Sequence, residues 1–87
     1  MRLTDPQQTF ERFERLAEAF IVQPSVVNGL ELDEAANHLK RIAGQQEDAV
    51  LTGLVHRFIR AIPRQEVATL AALRDEIRDR VAARNQG

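Results

Sequence analysis

The segment AANHLKRIAG, residues 35–44, holds the best candidate for side-chain chemistry in this chain. Its histidine, His38, is followed closely by Lys40 and Arg41. An imidazole changes its charge near neutral pH, which makes histidine the side chain most often used to move protons. On a helix, position 38 lies beside the predicted apolar face, at the edge of the core or in solvent. We therefore expect an accessible imidazole with two cations close to it in sequence.

This segment resembles the phosphohistidine helix of histidine phosphotransfer domains, which are four-helix bundles. The resemblance implies that His38 accepts a phosphoryl group and that Lys40 and Arg41 lie near it. The family places its leucine and lysine one position further from the histidine than Leu39 and Lys40 stand here. A slip of one residue rotates a side chain by about 100° around a helix, which would turn Lys40 away from the phosphate. Phosphotransfer through His38 is thus an alternative hypothesis for function.

Other residue types that commonly carry chemistry are scarce. The chain has no cysteine, tyrosine or tryptophan, which excludes disulfides, thiolate catalysis and cysteine-bound metals. Its histidines, His38 and His56, do not combine with Asp33 or Glu34 in the spacing of helical metal sites. No glycine-rich phosphate loop and no serine-centred elbow is present. We predict that the protein is not an enzyme, with no catalytic residue, metal, cofactor or small-molecule substrate.

The charge balance disfavours nucleic acid as a partner. The net charge is -1, whereas nucleic-acid-binding domains are normally basic. A helix-turn-helix formed by the second and third predicted helices would present Glu47 and Asp48 to the phosphates. Only the cluster of Arg57, Arg60 and Arg64 could contact a DNA backbone. A small DNA-binding regulator is therefore the second alternative.

The apolar residues recur with helical period in four segments, which are predicted as helices at about 5–22, 32–43, 46–61 and 63–84. Asp5 is a suitable N-cap and Pro6 a suitable first residue for the first helix. Gly44 is expected to end the second helix, and Pro63 to open the fourth directly after the third. The prediction is an all-α protein, a compact bundle of four short amphipathic helices in a single domain, residues 1–87.

Charges within the predicted helices follow the helix dipole. Acidic residues are expected in first turns and basic residues in last turns. In the second helix the acidic residues are Asp33 and Glu34 and the basic residues are Lys40 and Arg41. In the third helix the acidic residues are Glu47 and Asp48 and the basic residues are His56, Arg57 and Arg60. Glu76 and Arg80 have the spacing of a favourable ion pair in the fourth helix. Gly53 inside the third helix is either a tolerated weak spot or a close helix crossing.

Residues 24–31 interrupt the helical period. Asn28-Gly29, between Val26-Val27 and Leu30, is a dipeptide typical of tight hairpins. Because two very short strands are marginal in water, we predict an ordered loop, with a hairpin over 26–32 as the alternative. The segment is also unusually apolar for a loop, and nothing in the sequence explains why Val26, Val27 and Leu30 are apolar.

The remaining hypothesis for function is interaction with another protein. A small helical protein without chemistry of its own commonly works by presenting an apolar surface. The predicted partner-binding residues are Val26, Val27, Leu30, Arg57, Arg60 and Arg64. We predict an adaptor, inhibitor or regulatory or secretion accessory, whose partner is another protein or a second copy. In the competing interpretation all of these apolar residues belong to the core, and the last helix packs either within the chain or on a second copy.

Origin and location are also only expectations. No segment approaches the roughly 20 apolar residues of a membrane span, and no signal peptide opens the chain. We therefore expect a cytoplasmic protein that does not bind membranes. Lys40 is the single lysine among the 12 basic residues, a bias that suggests a bacterial or phage genome.

Overall fold

Helices make up nearly all of the computed structural model, which describes the backbone of residues 6–86 and the side chains of residues 6–84. The four helices are α1 (Pro6–Val22), α2 (Val26–Gln45), α3 (Ala49–Ala61) and α4 (Val67–Gln86). The predicted all-α four-helix bundle is confirmed. None of these helices within residues 6–86 combines the length and apolar content needed to cross a membrane.

The first helix forms as the sequence predicts. Pro6 is its first residue, where the missing N–H of proline leaves no helical bond unmade. Phe10, Phe13 and Phe20 lie on its buried face at three- and seven-residue spacing. The predicted N-cap, Asp5, lies outside the described residues. The helix ends at Val22, just before Pro24.

The predicted loop at 24–31 is wrong, because α2 begins at Val26 and residues 26–31 are helical. Ser25 is the N-cap: its extended backbone enters the helix and its hydroxyl accepts a bond from the Asn28 N–H at 3.1 Å. The side-chain amide of Asn28 (Nδ2) also donates a hydrogen bond to the backbone carbonyl of Gln23 at 3.0 Å. This cap replaces the expected Asn-Gly turn. Asp33 and Glu34 consequently lie beyond the first turn, and Lys40 and Arg41 lie before the last.

Gly44 does not terminate α2 as predicted. It is inside the helix, and Glu47 is the residue with left-handed backbone, at a φ of 56°. The Asp48 N–H bonds to the carbonyl of Ala43 and the Glu47 N–H to that of Gly44, both at 3.0 Å. This pair of bonds is a Schellman motif. A glutamate therefore stands where glycine is the usual residue.

The boundaries of the last two helices also differ from the prediction. Asp48 is the N-cap of α3, so residues 46–48 form the connection rather than the first turn. Pro63 does not open α4: residues 62–66 form a turn, in which Gln65 has a φ of 52°. The helical bonds of α4 start with Leu70 N–H to the carbonyl of Glu66 at 2.8 Å. A separate turn therefore reverses the chain between α3 and α4.

The helices form an antiparallel ring. Each helix packs on its neighbours in the chain, and α4 packs back on α1. Two ion pairs join α4 to α1: Arg74 with Glu18 at 2.7 Å, and Arg78 with Glu14. The residue numbers rise along α4 as they fall along α1, so these two helices are antiparallel. Across the centre, the rings of Phe13 and Phe58 meet edge to face with centroids 4.9 Å apart. The fourth helix therefore packs within the chain.

The core contains a few large side chains and many alanines. Its fully buried large residues are Phe13, Phe20, Phe58, Leu32, Leu39, Leu70, Ile77 and Val55. Gly53 is not at a close crossing, because a Cβ built there meets no atom within 4 Å. Gly29 is at one: a Cβ there would be 3.2 Å from Cε1 of Phe20. The close crossing is thus between α1 and α2, at the glycine that had suggested a turn.

Candidate partner-binding surface

Exposed apolar side chains are concentrated at one corner of the bundle. Val22, Val26, Val27 and Leu30 are 77%, 77%, 64% and 68% exposed. These residues lie at the end of α1 and the start of α2. A single exposed hydrophobic residue is ordinary, whereas several within one short segment are typical of interaction sites. We call these four residues the apolar corner.

The helical start of α2 determines which way these residues face. Val26 and Leu30 are one turn apart and share a face. Further along α2 the core is reached by the opposite face, which carries Leu32, Ala35 and Ala36. Because α2 begins as early as Val26, its first turns extend past the part that the core covers. The predicted partner-binding residues Val26, Val27 and Leu30 are therefore all in solvent.

Val26 and Leu30 protrude from α2 as a ridge. A groove of about 340 Å³ runs beside this ridge, between α2 and the turn after α3. Its main apolar lining consists of Phe20, Val26, Gly29, Leu30, Ile62 and Pro63. Gly29 contributes to the groove because the absence of a side chain lets α2 approach Phe20 and Ile62. The surface thus combines protruding side chains with a recess that could accept one.

The sequence did not identify Phe20, Gly29, Ile62 or Pro63 as part of this surface. Phe20 and Ile62 belong to predicted apolar faces, and their contribution depends on where three helix ends meet. The one local signal is Ser25 after Pro24, a cap that would have placed Gly29 in a helix.

The three predicted arginines lie on the adjacent part of the same end. Arg57, Arg60 and Arg64 are exposed and line a second groove, of about 430 Å³, between α3 and α4. Glu66 and Glu76 also line it. None of the three arginines forms an ion pair with any residue in the described part of the chain. Their charges are therefore available to a partner.

Among the described residues, the side chains of His38, Lys40 and Arg41 form no hydrogen bond with one another. His38 is half-buried and makes no hydrogen bond with any residue between 6 and 84. Lys40 lies instead near His56, with Nζ 3.3 Å from Nδ1 across the α2–α3 contact. Arg41 is exposed and lines a shallow groove with Lys40 but without His38. His56 lies before the last turn of α3, so the predicted interaction with the helix end is replaced by the contact with Lys40.

The bundle's other end contains a buried carboxylate that the sequence prediction missed. The side chain of Asp48 is fully buried and accepts hydrogen bonds from Leu51 N–H at 3.0 Å and from Arg80 and Arg84. The predicted pair of Glu76 with Arg80 does not form, because Arg80 is directed to Asp48 instead. These groups join the end of α4 to the start of α3.

The pKa of Asp48 follows from opposing effects. Burial by itself raises the pKa of this carboxyl, because the charged form loses solvent. The hydrogen bonds from Arg80 and from the Leu51 N–H, with the charges of Arg80 and Arg84, outweigh burial and bring the pKa below its ordinary value of 3.8. Asp48 is therefore a charged structural group whose hydrogen-bonding capacity is used within the chain.

The described residues contain neither a metal-ligand cluster nor an unpartnered buried polar side-chain atom. Within residues 6–84, no three His, Asp or Glu side chains are grouped so as to hold a metal ion. Every fully buried side-chain nitrogen or oxygen there has a hydrogen-bond partner. The apolar corner with its groove is therefore the surface feature most in need of a functional explanation. Comparison of the chain with protein-family models, curated proteins and solved structures finds no match.

Proposed function

We propose that this protein is a non-enzymatic helical module that binds another protein chain through the apolar corner and its groove. Such a module would serve as an adaptor, an inhibitor or a regulatory or secretion accessory. The observation that supports the proposal is the clustering of four strongly exposed apolar residues, Val22, Val26, Val27 and Leu30, within one short segment. Leaving these side chains in water has a free-energy cost that a bound partner would remove.

Burial of the exposed apolar side chains would be a main favourable contribution to the free energy of binding. Burying a valine or leucine side chain fully contributes about 1.5 to 3 kcal/mol. Full burial of Val26 and Leu30 would thus contribute at most about 3 to 6 kcal/mol. Because association itself costs a comparable amount or more, contacts of the groove and its charged surroundings must add to this gain in a stable complex. Arg57, Arg60 and Arg64, which form no ion pair among residues 6–84, lie nearby and would add orientation and a faster encounter with a partner of opposite charge.

Site-specific photo-crosslinking tests the proposal. A benzophenone amino acid is placed at Leu30, and in a second variant at Val50, in the cell from which the protein comes. Val50 is the matched control, because it is 56% exposed but lies on α3 near the other end of the bundle. We expect one discrete protein adduct from position 30 and none from position 50. Equal adducts from both positions, or none from position 30, would contradict the proposal.

A further inference from the structure

The surface proposed for partner binding carries both a ridge and a groove on the same face. Val26 and Leu30 protrude from α2, and they also form one wall of the recess whose other wall is Ile62 and Pro63. A surface with this shape can fit a rotated copy of itself, because the ridge of each copy meets the groove of the other. Such mutual contact through one patch defines a two-fold symmetric interface.

The charges around the apolar centre are divided in the same way. On α2, Glu31 is exposed, and Asp33 lines the groove, where its carboxylate accepts a hydrogen bond from the Asn37 side-chain amide. Neither carboxylate forms an ion pair with any described residue. On the other side, α3 and its turn carry Arg60 and Arg64, likewise without ion pairs among residues 6–84. Acidic residues therefore flank the ridge, and beyond the groove the arginines outnumber the two glutamates, Glu66 and Glu76, that line the same neighbouring recess.

We propose that the occupant of this surface is a second copy of the chain. This inference rests on the proposed function and names its partner. In the symmetric pair, Leu30 of each copy enters the groove of the other, and Glu31 and Asp33 of each copy lie against Arg60 and Arg64 of the other. Both charge contacts are attractive, and a net charge of -1 leaves little overall repulsion between copies.

Two charge-reversal variants test the symmetric pair, and non-specific apolar association would not produce the result expected of them. One variant carries Arg60→Glu and Arg64→Glu, and the other carries Glu31→Lys and Asp33→Lys. Each variant alone opposes like charges in both contacts, so each should be monomeric. Mixed in equal amounts, they restore attraction in both contacts and should form a heterodimer of about twice the 9.8 kDa of one chain. Sedimentation velocity measures the masses, and circular dichroism verifies that both variants stay helical.

A pair of apolar substitutions gives the control. Leu30→Asp should weaken dimerisation of the otherwise unchanged chain about 10- to 100-fold. Val50→Asp should leave it unchanged, because Val50 lies near the far end of α3. A monomeric unmodified chain at high concentration, a mixture that stays monomeric, or equal effects of the two substitutions would overturn the dimer. If the chain is monomeric while position 30 crosslinks to a different protein, the dimer fails but the proposed function stands.

Discussion

The buried carboxylate of Asp48 accepts hydrogen bonds from Nε and Nη2 of Arg80, with Nε 3.0 Å from Oδ2 and Nη2 3.0 Å from Oδ1. This parallel arrangement joins α4 to the residue that starts α3, and Arg84 adds a longer bond at 3.3 Å. The same Asp48 carboxylate caps α3 through the Leu51 N–H. One side chain therefore fixes both the direction of α3 and the position of the end of α4.

Asp48→Asn is expected to destabilise the protein, although it preserves the size of the side chain and a capping oxygen. The neutral amide loses the charge contacts with Arg80 and Arg84, and its NH₂ group would face the guanidinium groups. Because Arg80 remains 37% exposed, solvent screening limits the expected loss to about 2 kcal/mol of unfolding free energy, less than for a fully buried pair. Urea unfolding measures the loss. Arg78→Gln, which removes an exposed ion pair with Glu14, is the control and should cost clearly less.

The stability of the protein should also depend on Asp48 at acid pH. Since the folded-state pKa of Asp48 lies below the ordinary 3.8, its contribution is fully present above that value. It is lost as the pH falls through 3.8 towards the lower folded-state pKa, where the unfolded chain binds the proton first. Unfolding free energies measured from pH 6 to pH 3 should therefore fall more steeply for the unmodified protein than for Asp48→Asn. Parallel curves would show that Asp48 does not carry this dependence.

Features that depend on interactions between residues near in sequence could be predicted, whereas those that depend on distant packing could not. The apolar period of α1 and α3 repeats on a length scale that the sequence displays, so these helices were recognised. The start of α2 was missed because Asn28-Gly29 favours a turn locally, whereas the Ser25 cap and the packing of Gly29 on Phe20 favour a helix. Val26 and Leu30 are exposed, so they do not continue the apolar pattern of the buried face of α2 towards the start of the helix.

The candidate surface could be predicted only in part for the same reason. Val26, Leu30 and the arginines were identified as apolar or basic residues without a structural role, and the structure places them at one end. The groove itself depends on Ile62 and Pro63, which meet the start of α2 only after the chain has run the length of α2, reversed at residues 46–48 and returned through α3. Likewise, Asp48 and Arg80 are 32 residues apart, a separation at which no spacing rule applies.

The glycines offer a paired prediction about helix packing. Gly53→Ala should raise the free energy of unfolding by about 0.5 to 1 kcal/mol, because the new methyl group meets nothing within 4 Å and alanine favours a helix. Gly29→Ala has the same intrinsic gain but places Cβ 3.2 Å from Cε1 of the buried Phe20, closer than an ordinary contact, so the packed ring must shift to admit the methyl group. We expect Gly29→Ala to be destabilising. Thermal unfolding of the two variants compares them directly, and equal stabilisation would contradict a close crossing at Gly29.

The Ser25 cap should control whether the apolar corner is held in a helix. Ser25→Ala removes the oxygen that accepts the Asn28 N–H and should cost about 1 kcal/mol, concentrated in the first turns of α2. Ser25→Asp keeps an acceptor and adds a charge favoured by the helix dipole, so it should retain the helix. Hydrogen exchange measures the effect: amides of residues 28–31 should exchange faster in Ser25→Ala, while those around Leu39 remain protected. If the first turns keep their protection without the cap, packing of Gly29 on Phe20 rather than capping holds this helix start.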